Sequence, residues 1–132
     1  MSGHRTFPRG EFALQDHHVA LWSEAMATPP AHGVSPSIAL LLCFRGAGMS
    51  ISGIIAELDT TPRDVLFGEI SIDLDGAFRP GRTYSIETEI TGIERKHGRS
   101  IGAFDKVTLR YTLFDGACRA AIVTQTWIVS RD

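Results

Sequence analysis

His32 lies in a proline-rich turn, Thr28-Pro29-Pro30-Ala31-His32-Gly33-Val34-Ser35-Pro36, that runs straight into the apolar stretch Ser37 to Phe44. An imidazole titrates near neutrality, so a histidine held beside a helix start is suited to take and return a proton. The segment lacks a carboxylate to orient His32, so a turn histidine bonded to backbone stands as an equal reading. A second group, Arg95, Lys96 and Arg99 around His97, could meet phosphates, although a solvated basic turn accounts for it as well. His17 and His18 are adjacent, and neighbouring positions on a helix splay apart. With no cysteine or carboxylate at ligand spacing, no metal site is expected.

These residues need a scaffold, and composition bounds it. The 132 residues suit one domain, 1–132, and 43% hydrophobic with 21% charged residues is ordinary for a folded chain. A net charge of −2 argues against a general affinity for nucleic acid or anionic membranes. Two cysteines, Cys43 and Cys118, do not make a disulfide scaffold and point to a reducing cytoplasm. Residues 1–15 carry charges, Pro8 and Gly10 rather than the pattern of a signal peptide. The longest apolar run, Ile38 to Phe44, falls far short of the ~20 residues that span a bilayer.

Two helices are predicted. Asp16 is an N-cap candidate, and Val19, Trp22 and Met26 recur at helical spacing until Pro29 and Pro30 stop the helix. A second helix, Ser35 to about Met49, is capped by Ser35 with Pro36 in its first turn. It is apolar on every face and must be buried nearly all round. Ser50 to Glu57 reads equally as its continuation or as a short strand.

The rest alternates with period two. Leu66, Ile70, Ile72 and Leu74 are expected to point one way; Tyr84, Ile86, Thr88 and Ile90 form a second strand; Val107, Leu109, Tyr111 and Leu113 a third. Asp115-Gly116 signals a hairpin, and Ala120 to Val129 is apolar or β-branched on both faces, as in a central strand. Strands with one polar face at most, and a helix with none, are satisfied together when one antiparallel sheet curls around the helix. The expected class is α+β: the hotdog fold, a curved antiparallel sheet wrapped around a central apolar helix. An exposed sheet edge would favour pairing of two such chains.

The C-terminal half also resembles a known family. Phe78-Arg79-Pro80-Gly81-Arg82-Thr83-Tyr84 is similar to a turn of MaoC-like dehydratases, the group that includes (R)-specific enoyl-CoA hydratases. Gly92-Ile93-Glu94-Arg95-Lys96-His97-Gly98-Arg99 with Gly102-Ala103-Phe104-Asp105 resembles a stretch of their N-terminal-type domains. Val34-Ser35-Pro36-Ser37 and Phe44-Arg45-Gly46 resemble the two ends of their central helix. The resemblance covers about residues 16–130. It implies the hotdog fold and the hydration of enoyl thioesters, or dehydration of 3-hydroxyacyl thioesters, carried on coenzyme A or acyl carrier protein, with no further cofactor.

The family uses an Asp and a His in a Gly-Asp-x-Asn-Pro-x-His run. Pro30-Ala31-His32 matches its end, so the resemblance makes His32 the catalytic histidine. Ala27 stands at the aspartate position and Met26 at the glycine position. The loop between the histidine and the central helix is cut short. In this register Ser37 supplies the oxyanion N–H; in a second register, with His32-Gly33 at the helix start, Gly33 does. Arg95, Lys96 and Arg99 become candidate contacts for coenzyme A.

Three readings follow: a hydratase whose missing acid comes from another residue or chain; a non-catalytic subunit supporting an active MaoC-like partner; and a hotdog thioesterase, against which the absence of acid from Ile38 to Met49 counts. The expected partners are an acyl thioester and a second chain, as a homodimer or a heterodimer.

Overall fold

The computed structural model describes residues 4–27 and 34–132. Short strands β1 (Arg5–Thr6) and β2 (Gly10–Leu14) precede helix α1 (Asp16–Ala25). A 3-10 turn, Pro36–Ile38, leads into α2 (Ala39–Gly46) and then α3 (Ile51–Glu57). A second 3-10 turn opens β3 (Val65–Leu74), followed by β4 (Arg82–Gly98), β5 (Gly102–Asp115) and β6 (Cys118–Ser130). Among the described residues one sheet forms, in the order β1-β4-β5-β6-β3, with β2 also on β4 and every pairing antiparallel. It wraps α2, giving the expected hotdog arrangement.

Alternation explains the wrap. Tyr84, Ile86 and Ile90 on β4, Val107, Leu109, Tyr111 and Leu113 on β5, and Ala121, Val123, Trp127 and Val129 on β6 all turn inward and are buried. Against them α2 buries Ala39, Leu42, Cys43 and Gly46. A side chain at Gly46 would run into Phe12 and Ile86, so glycine lets the helix end lie close to β2 and β4.

Several expectations need correction. The central helix does not run from Ser35 to Met49. It begins as a 3-10 turn, stops at Gly46, and the chain bends by 65° into α3, so Ser50 to Glu57 is a separate helix rather than a continuation or strand. Ser50 caps it, its Oγ accepting from the Gly53 N–H at 3.0 Å. Nor is α2 sealed all round: Phe44 is 45% exposed, and Leu40 and Leu41 are half-buried. No single described helix is long and apolar enough to cross a membrane.

The N-cap of α1 is Gln15, with Asp16 in the first turn. His17 and His18 do not splay apart. Their ring centroids are 4.0 Å apart. The Gln15 N–H donates to His18 Nδ1 at 3.0 Å, which fixes that ring as an acceptor. Burial first, then His17 and Arg45, hold its pKa below the ordinary histidine value. Met26, expected on the inner face of α1, is exposed.

On β3, Leu66 faces outward, away from Ile70, Ile72 and Leu74. A bulge between Phe67 and Ile70 sets Gly68 and Glu69 against the single residue Thr126, one extra residue in the ladder. A one-residue slip moves side chains to the other face. Ahead of it Val65 and Phe67 lie on the inner face, opposite Val129 and Trp127; beyond it Ile70 and Ile72 lie opposite Gln125 and Val123.

Candidate functional site

The start of the central helix is built by three side chains. Ser35 caps the 3-10 turn, its Oγ accepting from the Ser37 N–H at 3.3 Å. Trp22, half-buried on α1, donates its indole N–H to Ser37 Oγ at 2.9 Å. Ser35 Oγ and Ser37 Oγ are 2.9 Å apart. An indole N–H can only donate, so Ser37 Oγ accepts from Trp22; a hydroxyl oxygen has a second lone pair, and either serine can donate across the Ser35–Ser37 contact.

This arrangement bears on the Ser37 amide, expected as an oxyanion donor. That N–H is engaged by Ser35 Oγ, and the next two amides, of Ile38 and Ala39, go to carbonyls of the turn. The described residues therefore offer a pair of hydroxyls here, of Ser35 and Ser37, rather than a bare amide. Ala27, which the resemblance sets at the aspartate position, closes α1 with φ of 52°, a left-handed conformation that alanine adopts at a cost. His32 and Gly33 lie outside the described residues.

The basic group lies elsewhere. Arg95 donates to Asp105 at 2.6 Å, and Arg131 to the other oxygen of that carboxylate at 2.9 Å. Arg131 also donates to the carbonyls of Leu58 and Asp59, so the network fastens the end of β6 to the end of α3. The Arg95 hydrogen bond, against the opposing effect of burial and with help from Arg131, holds the Asp105 carboxyl below the usual carboxylate range. Lys96 pairs with Glu94, and Arg99 makes no ion pair among the described residues. The helix start lies by Leu74, whose ladder partners run through Ala121 to Leu113, whereas Arg95 lies opposite Asp105. Eight positions on β5 separate these rungs, about 26 Å at ~3.3 Å per residue, so one chain does not bring them together.

A groove of about 350 Å³ runs between the exposed face of Phe44 on α2, Ile51 on α3 and the bulge of β3. Phe67, Ile70 and Trp127 line it, and Phe67 meets Trp127 edge-on with centroids 5.2 Å apart. Gly68 is needed at the bulge, because a Cβ there would come within 2.9 Å of the Thr126 carbonyl oxygen. Gln125, only 3% exposed, forms part of the wall. Its Oε1 accepts from Trp127 Nε1 at 3.1 Å, so the amide orientation is set by a group that can only donate. The Gln125 Nε2 hydrogens find no acceptor among the described residues. A buried donor left unmade costs about 1–3 kcal/mol. The groove thus takes an apolar group and has one amide donor behind its wall. Glu69, at the rim, is its one carboxylate.

Sequence reasoning missed Gln125. Its signal was register: it shares parity with Val123 and Trp127, both inward. Among the described residues no three His, Cys, Asp or Glu side chains gather as a metal site. Tyr84 is a fully buried packing residue, and Trp127, also fully buried, backs the groove.

The sequence matches no protein-family model and no curated protein. Solved structures share the fold. One is the ChsH1-ChsH2 complex from Mycobacterium tuberculosis (TM-score 0.69, 14% identity, 98% of this chain and 89% of that one). Another is a MaoC-like dehydratase from Phytophthora capsici (0.65, 14%, 98% of this chain but 46% of that one), of which this chain spans just under half. A third is a variant of the fluoroacetyl-CoA-specific thioesterase FlK with fluoroacetate and CoA (0.63, 17%, 98% and 96%).

Proposed function

We propose that this hotdog chain binds acyl thioesters of coenzyme A or acyl carrier protein, and that hydration or dehydration of them requires a second MaoC-like chain. The observation that carries the reading is the apolar groove beside α2, walled by Phe44, Phe67, Ile70 and Trp127 with the Gln125 amide behind it. An acyl group is the part of a thioester that such a groove takes. In this reading the Ser35–Ser37 hydroxyl pair meets the thioester carbonyl, and His32 serves proton transfer. Arg95, bound to Asp105, is a structural residue in this reading. Arg99 and Lys96 remain for phosphate, reached from a partner's thioester rather than from the chain's own helix start. The dependence on a partner rests on Ala27, which leaves His32 without the acid of its family's pair.

The test has two arms. Octanoyl-CoA binding is followed by calorimetry for the wild-type chain and Phe44→Ala, which removes a half-exposed wall residue at little cost to the fold. Losing roughly 1 kcal/mol of apolar contact, about fivefold weaker binding is expected; equal binding by the variant sinks the groove assignment. In the second arm, hydration and hydrolysis of crotonyl-CoA are assayed for the chain alone and with a MaoC-like partner. Turnover only in the mixture is expected. Turnover by the chain alone, abolished in His32→Ala, would overturn the partner requirement, and hydrolysis in place of hydration would favour the thioesterase reading.

A further inference from the structure

Gln125 sits on the inner face of β6 among apolar neighbours. Ile70 and Leu109 lie opposite it on β3 and β5, and Val123 and Trp127 share its face along the strand. It walls the groove while only 3% exposed, and its Nε2 hydrogens reach no acceptor among the described residues. Turning the amide over is no remedy. Its Oε1 accepts from Trp127 Nε1 at 3.1 Å, and the indole N–H needs that acceptor. Tyr111, diagonal to Gln125 across the β5–β6 ladder, is no remedy either, since its own buried hydroxyl stays unpartnered.

Trp127 accounts for the carbonyl side of this amide and not for its NH2. A groove meant for a purely aliphatic chain is walled as well by methionine or leucine, with no donor stranded. A buried donor at a groove wall matches an acceptor that arrives with the ligand, and a site built to hydrogen-bond a group discriminates against the analogue lacking it. Charge narrows the acceptor. Glu69 stands at the rim, and no lysine, arginine or histidine is among the described residues that line the groove. An anionic group at the far end of an acyl chain would meet like charge there. A neutral oxygen does not, and a keto oxygen suits apolar walls better than a hydroxyl, because it brings no hydrogen that needs an acceptor of its own. We infer that Gln125 is a specificity-determining residue, and that the groove takes an acyl chain carrying a keto group whose oxygen accepts from Gln125 Nε2. This inference rests on the thioester reading above and names the class of acyl group.

The test compares octanoyl-CoA with a series of oxo-octanoyl-CoA esters, the keto group moved carbon by carbon along the outer half of the chain. Binding is followed by calorimetry for wild type and Gln125→Met. At least one oxo ester is expected to bind wild type about tenfold more tightly than octanoyl-CoA, and the variant to bind the two alike. Equal binding of the whole series by the wild type would overturn the inference, as would a preference that survives in Gln125→Met. That variant strands the Trp127 N–H, so a readout on the wild type covers its failure to fold. The Gln125 side-chain amide protons, followed by NMR, are expected to move downfield with the preferred oxo ester and not with octanoyl-CoA. Amide protons that ignore a bound oxo ester also sink the assignment. The two readings fail differently. If no CoA ester binds, the thioester reading falls, and the octanone isomers are titrated in place of the esters: a downfield shift of the same protons leaves the groove chemistry standing, and no shift removes it.

Discussion

The two margins of the sheet are finished differently. Beyond β4 the margin is split into β1, two residues, and β2, five, joined by a Phe7 N–H bond to the Thr88 carbonyl. Both signs of charge cross it: Glu89 accepts from Arg110 at 2.9 Å and meets His4 at 3.0 Å, and Arg9 lies over the Phe114 ring. The opposite margin, β3, is long, apolar and acidic only. Short strands and mixed charges are how proteins close an edge, and a long apolar strand is how one stays available. The contrast shows that the exposed apolar residues of β3 are a property of one margin rather than of a loosely packed fold.

Substitutions at the closed margin should break this contrast most severely. A side chain on Gly10 would run into the backbone of Gly46 to Gly48, which cannot yield as a flexible side chain would. Gly10→Ala is expected to cost about 3 kcal/mol in urea unfolding, while Gly76→Ala, beyond β3 with open space around it, stays within about 0.5 kcal/mol. Equal effects would show that the β2 margin is not sealed.

A smaller effect follows at Glu89. Burial raises its pKa, but hydrogen bonds from Arg110 and His4 outweigh this and leave it lowered. A depressed folded pKa stabilises above the ordinary glutamate value of about 4.3 and is lost as pH falls through the folded value. Glu89→Gln should therefore cost about 1 kcal/mol at pH 7, with the difference from wild type closing as the pH drops below about 4. Thermal melts across that range check it; a constant difference would remove the ionic account.

The smallest effect belongs to the open margin. Leu66 faces outward, so Leu66→Lys should change stability by less than about 0.5 kcal/mol in the same melts. A larger loss would mean that β3 is already part of the core.

Alternation made β5 legible residue by residue: Val107, Leu109, Tyr111 and Leu113 are all fully buried. β3 was not, because a bulge changes parity and Gly68-Glu69 carries no mark that separates a bulge from an ordinary strand glycine. The break at Gly46 was foreshadowed by its glycine, but the 65° turn into α3 depends on contacts with β2 and β4 that no local pattern encodes. The candidate site was less legible than the fold. Arg95 reads as a free cation until the hairpin register is known. Gly98 pairs with Gly102, and the same count places Arg95 opposite Asp105. The Ser37 amide reads as available until Ser35, two residues before it, is seen to take it.

The route of the chain gives both margins one more property. β4, β5 and β6 follow one another through tight turns, their innermost pairs only three or four residues apart, whereas β3 reaches β6 across 47 to 64 residues. Closing the longer loop costs about 2 kcal/mol more in chain entropy. β1 and β2 reach β4 across a longer span still, 68 to 85 residues, so both margins carry a closure cost that the β4–β5–β6 centre does not. A partner present at a hundred times its Kd adds about 2.7 kcal/mol to the stability of the whole domain. The stability of the domain is then set in part by the concentration of the partner that the proposed function requires.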